Sequence, residues 1–177
     1  MNSSFRLFAA LAVCAITVAA AAGTDSSKSI AVSSTVNTSC VVSSGATLAF
    51  AAYDPVGANN TAGTGDLAGT GSFSLRCTKG AAVNVGLDVG THASGAQRRL
   101  SDGAGTPSFL NYNLFQPNGG VTGTCPGTTA WDNSTNTLGY SSTSAAARSV
   151  AVCGTIPGGQ DVPAGSFTDT VTIYANF

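Results

Sequence analysis

Residues 165–177 read GSFTDTVTIYANF, and the alternation in this stretch decides the fold class. Phe167, Val171, Ile173, Ala175 and Phe177 share one face, while Thr168, Thr170, Thr172 and Tyr174 share the other. Period-two alternation among Thr, Val, Ile and aromatic residues is the pattern of a half-buried β-strand. The same period recurs upstream. In 72–78, Phe73, Leu75 and Cys77 alternate with Ser74 and Arg76. After a Lys79-Gly80 turn, Val83, Val85, Leu87 and Val89 follow on odd positions, and the two runs are expected to form a hairpin. Leu110, Tyr112 and Leu114 share a face within 109–116, and 148–155 reads as a further strand. Short strands are expected at Cys40-Val41-Val42 and 46–50, and a short edge strand at 98–100. The Gly, Asn and Thr run 57–71 reads as a loop, and 117–144 as a long polar excursion holding Cys125 and Trp131. About seven to nine short strands with no notable helix predict an all-β, immunoglobulin-like sandwich.

The front of the chain has a different character. Arg6 precedes the apolar run 7–18, and 19–23 is a run of small residues. That order reads as an export signal over 1–23, cleaved near Ala22 or Gly23, and its apolar stretch is too short for a membrane anchor. About 154 residues would remain, one domain's worth. Arg6 would leave with the signal, so six basic groups face eight Asp, a net charge of −2. With no Glu, Lys only at 28 and 79, and 22 Gly, long solvated helices are disfavoured. No basic footprint for nucleic acid is present. Four Cys, at 40, 77, 125 and 153, would survive cleavage. In an exported chain they read as two disulfides with three possible pairings. Cys40–Cys77 and Cys125–Cys153 are preferred because they group the early and the late halves. Without a CxxC spacing, and with His92 the single His, the four do not read as a metal site.

Between signal and body lies 24–38. Ile30, Val32, Ser34 and Val36 alternate there with Ala31, Ser33, Thr35 and Asn37, and the segment contains no Gly or Pro. It reads as a strand that no tight turn ties to the body of the chain.

Several motifs together resemble the spore coat U domain family, which includes subunits of archaic chaperone–usher pili. They are VCGTIPGGQDVPAGSFTDTVTIYANF at 152–177, SCVV at 39–42, LAFAAYDP at 48–55, FSLRCTKG at 73–80 and LNYNLFQ at 110–116. The chain departs from the family pattern at Ala51 and Asp132, where Gly is common, and in having Cys125 and Cys153. The resemblance implies an immunoglobulin-like sandwich lacking its final strand, 39–177, completed by donor-strand exchange. The N-terminal extension 24–38 would be the donor, with Ile30, Val32 and Val36 filling a neighbour's groove. The strand carrying Phe167, Val171, Ile173 and Phe177 would form the groove edge met first by a periplasmic chaperone. Implied partners are neighbouring subunits, the chaperone and an outer-membrane usher. Implied location is a surface pilus reached through the periplasm, supporting adhesion and biofilm formation.

No enzyme and no cofactor are expected. His92 lies in a Gly/Ser loop without an evident nucleophile and reads as a solvated loop residue. Asp161 and Asp169 sit at turn or strand-start positions rather than as a paired acid and base. Arg98 and Arg99 are adjacent and would face opposite sides of a strand, one of them covering an edge. The alternative reading is a non-pilus coat or matrix protein, or a carbohydrate-binding surface module using Trp131.

Overall fold

The computed structural model describes Gly23, 28–45 and 47–177. The signal expected over 1–23 lies outside the described residues apart from Gly23, as does 24–27 of the extension. The chain divides into two units, Met1–Thr35 and Val36–Phe177. In the first, 28–35 has no assigned secondary structure and is exposed throughout.

The second unit is an immunoglobulin-like sandwich of antiparallel strands: β1 (Cys40–Ser44), β2 (Leu67–Cys77), β3 (Ala82–Leu87), β4 (Arg98–Ser101), β5 (Phe109–Phe115), β6 (Leu138–Ser141), β7 (Arg148–Ile156) and β8 (Ile173–Asn176). One sheet runs β1-β2-β7-β5-β4 and the other β6-β3-β8. Alternation explains the core. Phe73 and Leu75 from β2, Val83 and Val85 from β3, Leu110, Tyr112 and Leu114 from β5, and Val150 and Val152 from β7 are all buried. Their polar neighbours along each strand turn outward, as period two requires.

Four expectations are corrected by these strands. The runs 72–78 and 83–89 do not form a hairpin, because β2 and β3 lie in opposite sheets. Each presents an apolar face, and facing one another across the core buries both. Residues 67–71 are not loop: Gly69 and Gly71 belong to β2, paired with Gly154 and Val152 of β7. Nor is 117–144 wholly irregular, since it contains a 3₁₀ turn, Gly120–Thr122, and strand β6. The stretch 46–50 forms no ladder; Ala49 makes one isolated bridge to Thr70, and Ala46 is outside the described residues.

Disulfides join Cys40 to Cys77 across the β1–β2 pair and Cys125 to Cys153, fastening the long excursion to β7. Tyr53, Pro157 and Gln160, from separate motifs, converge in one polar knot. The Tyr53 hydroxyl donates to the Pro157 carbonyl at 3.1 Å and accepts from the Gln160 N–H at 2.9 Å. The Gln160 side chain then bonds both backbone groups of Asn111, tying the knot to β5. Among the described residues, no helix is long and apolar enough to cross a membrane.

Candidate functional site

The sandwich is open along one side. Two adjoining clefts, of 640 and 610 Å³, share Leu48, Phe50, Leu100 and Asp169 and run between the edges of the two sheets. One wall is Val42 of β1 with Leu48 and Phe50; the other is the stretch 167–173 leading into β8. Leu87, Tyr112, Leu114, Val152 and Ile156 contribute to the floor. The groove floor is thus made of residues that also belong to the hydrophobic core.

The edge beside the groove is unpaired among the described residues. β8 is the last strand of its sheet and pairs there only with β3. Upstream of it, the Thr168, Thr170 and Thr172 carbonyls accept from the N–H groups of Ser101, Thr91 and Asp88. Backbone groups alternate sides along a strand, so those of Asp169, Val171 and Ile173 point the other way, along the groove. Such a row is an open template for another strand.

The opposite wall rests on glycine. Gly69 and Gly154 are directly paired, and a Cβ on either would come within 2.6 to 2.7 Å of the Phe50 ring. A Cβ on Gly71 would meet the Thr47 carbonyl at 2.7 Å. The bare patch on β2 and β7 therefore receives Leu48 and Phe50 where side chains would exclude them. Both stay half-buried, and Phe50 meets Tyr112 edge-on with ring centroids 6.4 Å apart.

At the joint of the two clefts sits Asp169, its side chain 1% exposed. Tyr112 Oη donates to its Oδ2 at 2.6 Å; Thr91 N–H and Oγ1 donate to Oδ1 at 3.0 and 2.8 Å, and His92 N–H at 3.2 Å. His92 Nδ1 lies 3.1 Å from Oδ1. Burial opposes the charged carboxylate, but the bonds from Tyr112, Thr91 and neighbouring backbone outweigh it and hold the acid below the usual carboxylate range. Burial, then the bond to Asp169, raises the Tyr112 phenol far above its ordinary value. His92 is thus not a free loop residue, which corrects the sequence reading; its partner is 77 residues away. The turn that admits the carboxylate needs Gly90, at φ +85, because a Cβ there would collide with Asp169.

Arg98 braces the Leu87–Asp88 backbone, of which Leu87 contributes to the groove floor. Arg98 is buried, and its guanidinium donates to the carbonyls of Leu87, Asp88 and Trp131 at 2.6 to 3.1 Å. Desolvation lowers its pKa against the pull of Tyr112, Asp88, Asp132 and Asp169. Arg99 instead lies 3.9 Å over the Phe109 ring on the sheet edge. Trp131 is 0% exposed, and its indole N–H donates to the Val85 carbonyl at 2.9 Å. It is a core residue, not the exposed platform that carbohydrate binding through Trp131 would require.

The sequence-derived groove residues divide clearly. Phe167, Val171 and Ile173 are half-buried groove lining, whereas Phe177 is 61% exposed beyond β8. Ile30, Val32 and Val36 are 89%, 91% and 81% exposed. Sequence reasoning missed Leu48, Phe50 and Asp169 as site residues. The signal for the first two was available in Gly69, Gly71 and Gly154, spaced to share one face of paired strands.

Comparison with known proteins gives three findings. The Spore Coat Protein U domain model matches residues 26–174. A curated relative, Protein U of Myxococcus xanthus, is 34% identical over 155 residues, covering 80% of this chain and 79% of that protein. A solved structure, the CsuC–CsuE chaperone–tip adhesion subunit pre-assembly complex from archaic chaperone–usher Csu pili of Acinetobacter baumannii, contains a chain that matches with a TM-score of 0.54. Identity is 19%, and the match covers 81% of this chain but 41% of that one, a likeness of fold.

Proposed function

The chain belongs to the Spore Coat Protein U domain family, and on that premise we propose that it is a structural subunit of an archaic chaperone–usher pilus. The single observation carrying this reading is the open groove beside the unpaired edge of β8. In the proposal, the exposed N-terminal segment of one copy lays Ile30, Val32 and Val36 into the groove of the next. Each apolar side chain so buried contributes about 1.5–3 kcal/mol. Main-chain bonds to the free edge hold the strand in place, the β-augmentation mode of recognition. Before assembly the groove is a hazard that needs cover. A periplasmic chaperone supplies it along the same edge, and an outer-membrane usher exchanges chaperone for subunit. The role is mechanical, not catalytic, and the location is the cell surface, where the fibre supports adhesion and biofilm formation. Residues 1–23 are then the export signal, 24–38 the donor extension and 39–177 the accepting domain.

The test is electron microscopy of cells exporting the chain with Ile30→Asp or Val32→Asp. Loss of fibres with normal amounts of exported subunit is expected; normal fibres would contradict the reading. The family description favours a second reading, a coat protein. It predicts a sheath or matrix instead of filaments in the same images.

A further inference from the structure

We propose a specific register for the inserted strand: it runs antiparallel to 167–173, with Ser34 of one copy opposite Asp169 of the next. This rests on the proposed strand exchange and adds the partner residues. The groove edge has an inward row of Phe167, Asp169, Val171 and Ile173 alternating with exposed Thr168, Thr170 and Thr172; Phe167, Val171 and Ile173 are half-buried, and the Asp169 side chain is sealed within its hydrogen-bonded cluster. That row is apolar except at Asp169. The inward row of the extension, Ile30, Val32, Ser34 and Val36, is apolar except at Ser34.

Placing the two polar breaks together in the antiparallel sense sets Val36 against Phe167, Val32 against Val171 and Ile30 against Ile173. The outward rows then match as well, with Thr35 beside Thr168, Ser33 beside Thr170 and Ala31 beside Thr172. Directly opposed hydroxyl pairs and apolar pairs are the favourable cross-strand combinations. A slip of two residues either way puts a valine over the Asp169 carboxylate and Ser34 over Val171 or Phe167. That leaves the Ser34 hydroxyl among apolar neighbours, which is costly. A parallel strand with the same polar match sets Ile30 against Gly165, which offers no side chain of its own. The odd-numbered residues that meet the inward donor row have backbone groups free of the bonds made by Thr168, Thr170 and Thr172, as strand addition on this side requires. A one-residue slip would turn every apolar donor side chain to solvent.

Disulfide trapping in fibres of the full chain tests the register. The outward pairs suit it, since Ser33, Thr170, Ala31 and Thr172 are all exposed. Ser33→Cys with Thr170→Cys, and independently Ala31→Cys with Thr172→Cys, should give a covalent ladder on non-reducing gels that collapses to monomer on reduction. Ser33→Cys with Thr168→Cys or with Thr172→Cys should give little ladder. Fibres whose ladder arises from a shifted pair, or from none, overturn the register while leaving strand exchange standing. Failure of both matched variants to assemble, while the unsubstituted chain does, also counts against it. If the unsubstituted chain forms no fibres, the proposed function itself fails.

Discussion

Tyr112 donates its hydroxyl to Asp169 at 2.6 Å, joining β5 of one sheet to the stretch that enters β8 of the other. The groove edge is held to the body by this bond and its neighbours from Thr91 and His92. Asp169 is charged when folded at a lower pH than when unfolded. Its stabilising contribution is therefore complete above the unfolded value, about 3.9, and disappears as pH falls through the folded value. Asp169→Asn should cost about 1.5–3 kcal/mol at neutral pH, and the gap from the parent should close on acidification below pH ~4. Urea midpoints from neutral to acid pH check this. A constant gap across that range would contradict it.

The glycine floor under Phe50 predicts a steric effect without any change of charge. Gly154→Ala puts a methyl within 2.7 Å of the ring and should cost about 1–3 kcal/mol. Gly139→Ala, on β6, meets nothing closer than 3.6 Å and serves as control. Thermal unfolding of the two variants side by side decides the point, and equal midpoints would contradict the packing described.

Trp131 separates core from surface function. With its indole sealed against Phe73 at 6.2 Å between ring centroids, Trp131→Ala should destabilise by about 3–5 kcal/mol. Intrinsic fluorescence offers a second check, because a buried indole should resist acrylamide quenching until the protein unfolds. A quenchable Trp131 in the native state would contradict its burial.

The Cys125–Cys153 bond closes 28 residues. Replacing both by Ser should cost about 2–4 kcal/mol through freedom returned to the unfolded chain. Limited proteolysis should then cut first within 117–137. An unchanged cleavage pattern would show that the excursion is held by other means.

How far these features were legible in the sequence depends on the kind of information each needs. Alternation at Phe73, Leu75, Val83, Val85, Tyr112 and Leu114 identified buried faces, because period two is a local property. It could not say that β2 and β3 occupy opposite sheets, since an apolar face reads alike from either side of a core. Residues 67–71 read as loop because glycine lowers strand propensity; here glycine makes room for Leu48 and Phe50. Residues 138–141 form a strand of four residues in polar surroundings, too short for alternation to reveal. The Asp169 cluster draws on Thr91, His92 and Tyr112, positions 57 to 78 residues away, which no short-range pattern connects. Trp131 misled for the same reason: its neighbours in sequence are polar, while its neighbours in space are Phe73 and the Val85 carbonyl.

If one copy's front segment fills the next copy's groove, chain termination is the most direct test. A subunit carrying both Ile30→Asp and Val32→Asp keeps its groove and loses its ability to donate. Co-exported in rising proportion with the unsubstituted chain, it should shorten the fibres progressively, with length measured by electron microscopy. Fibre length independent of the variant's proportion, with the variant built into the interior, would contradict strand exchange.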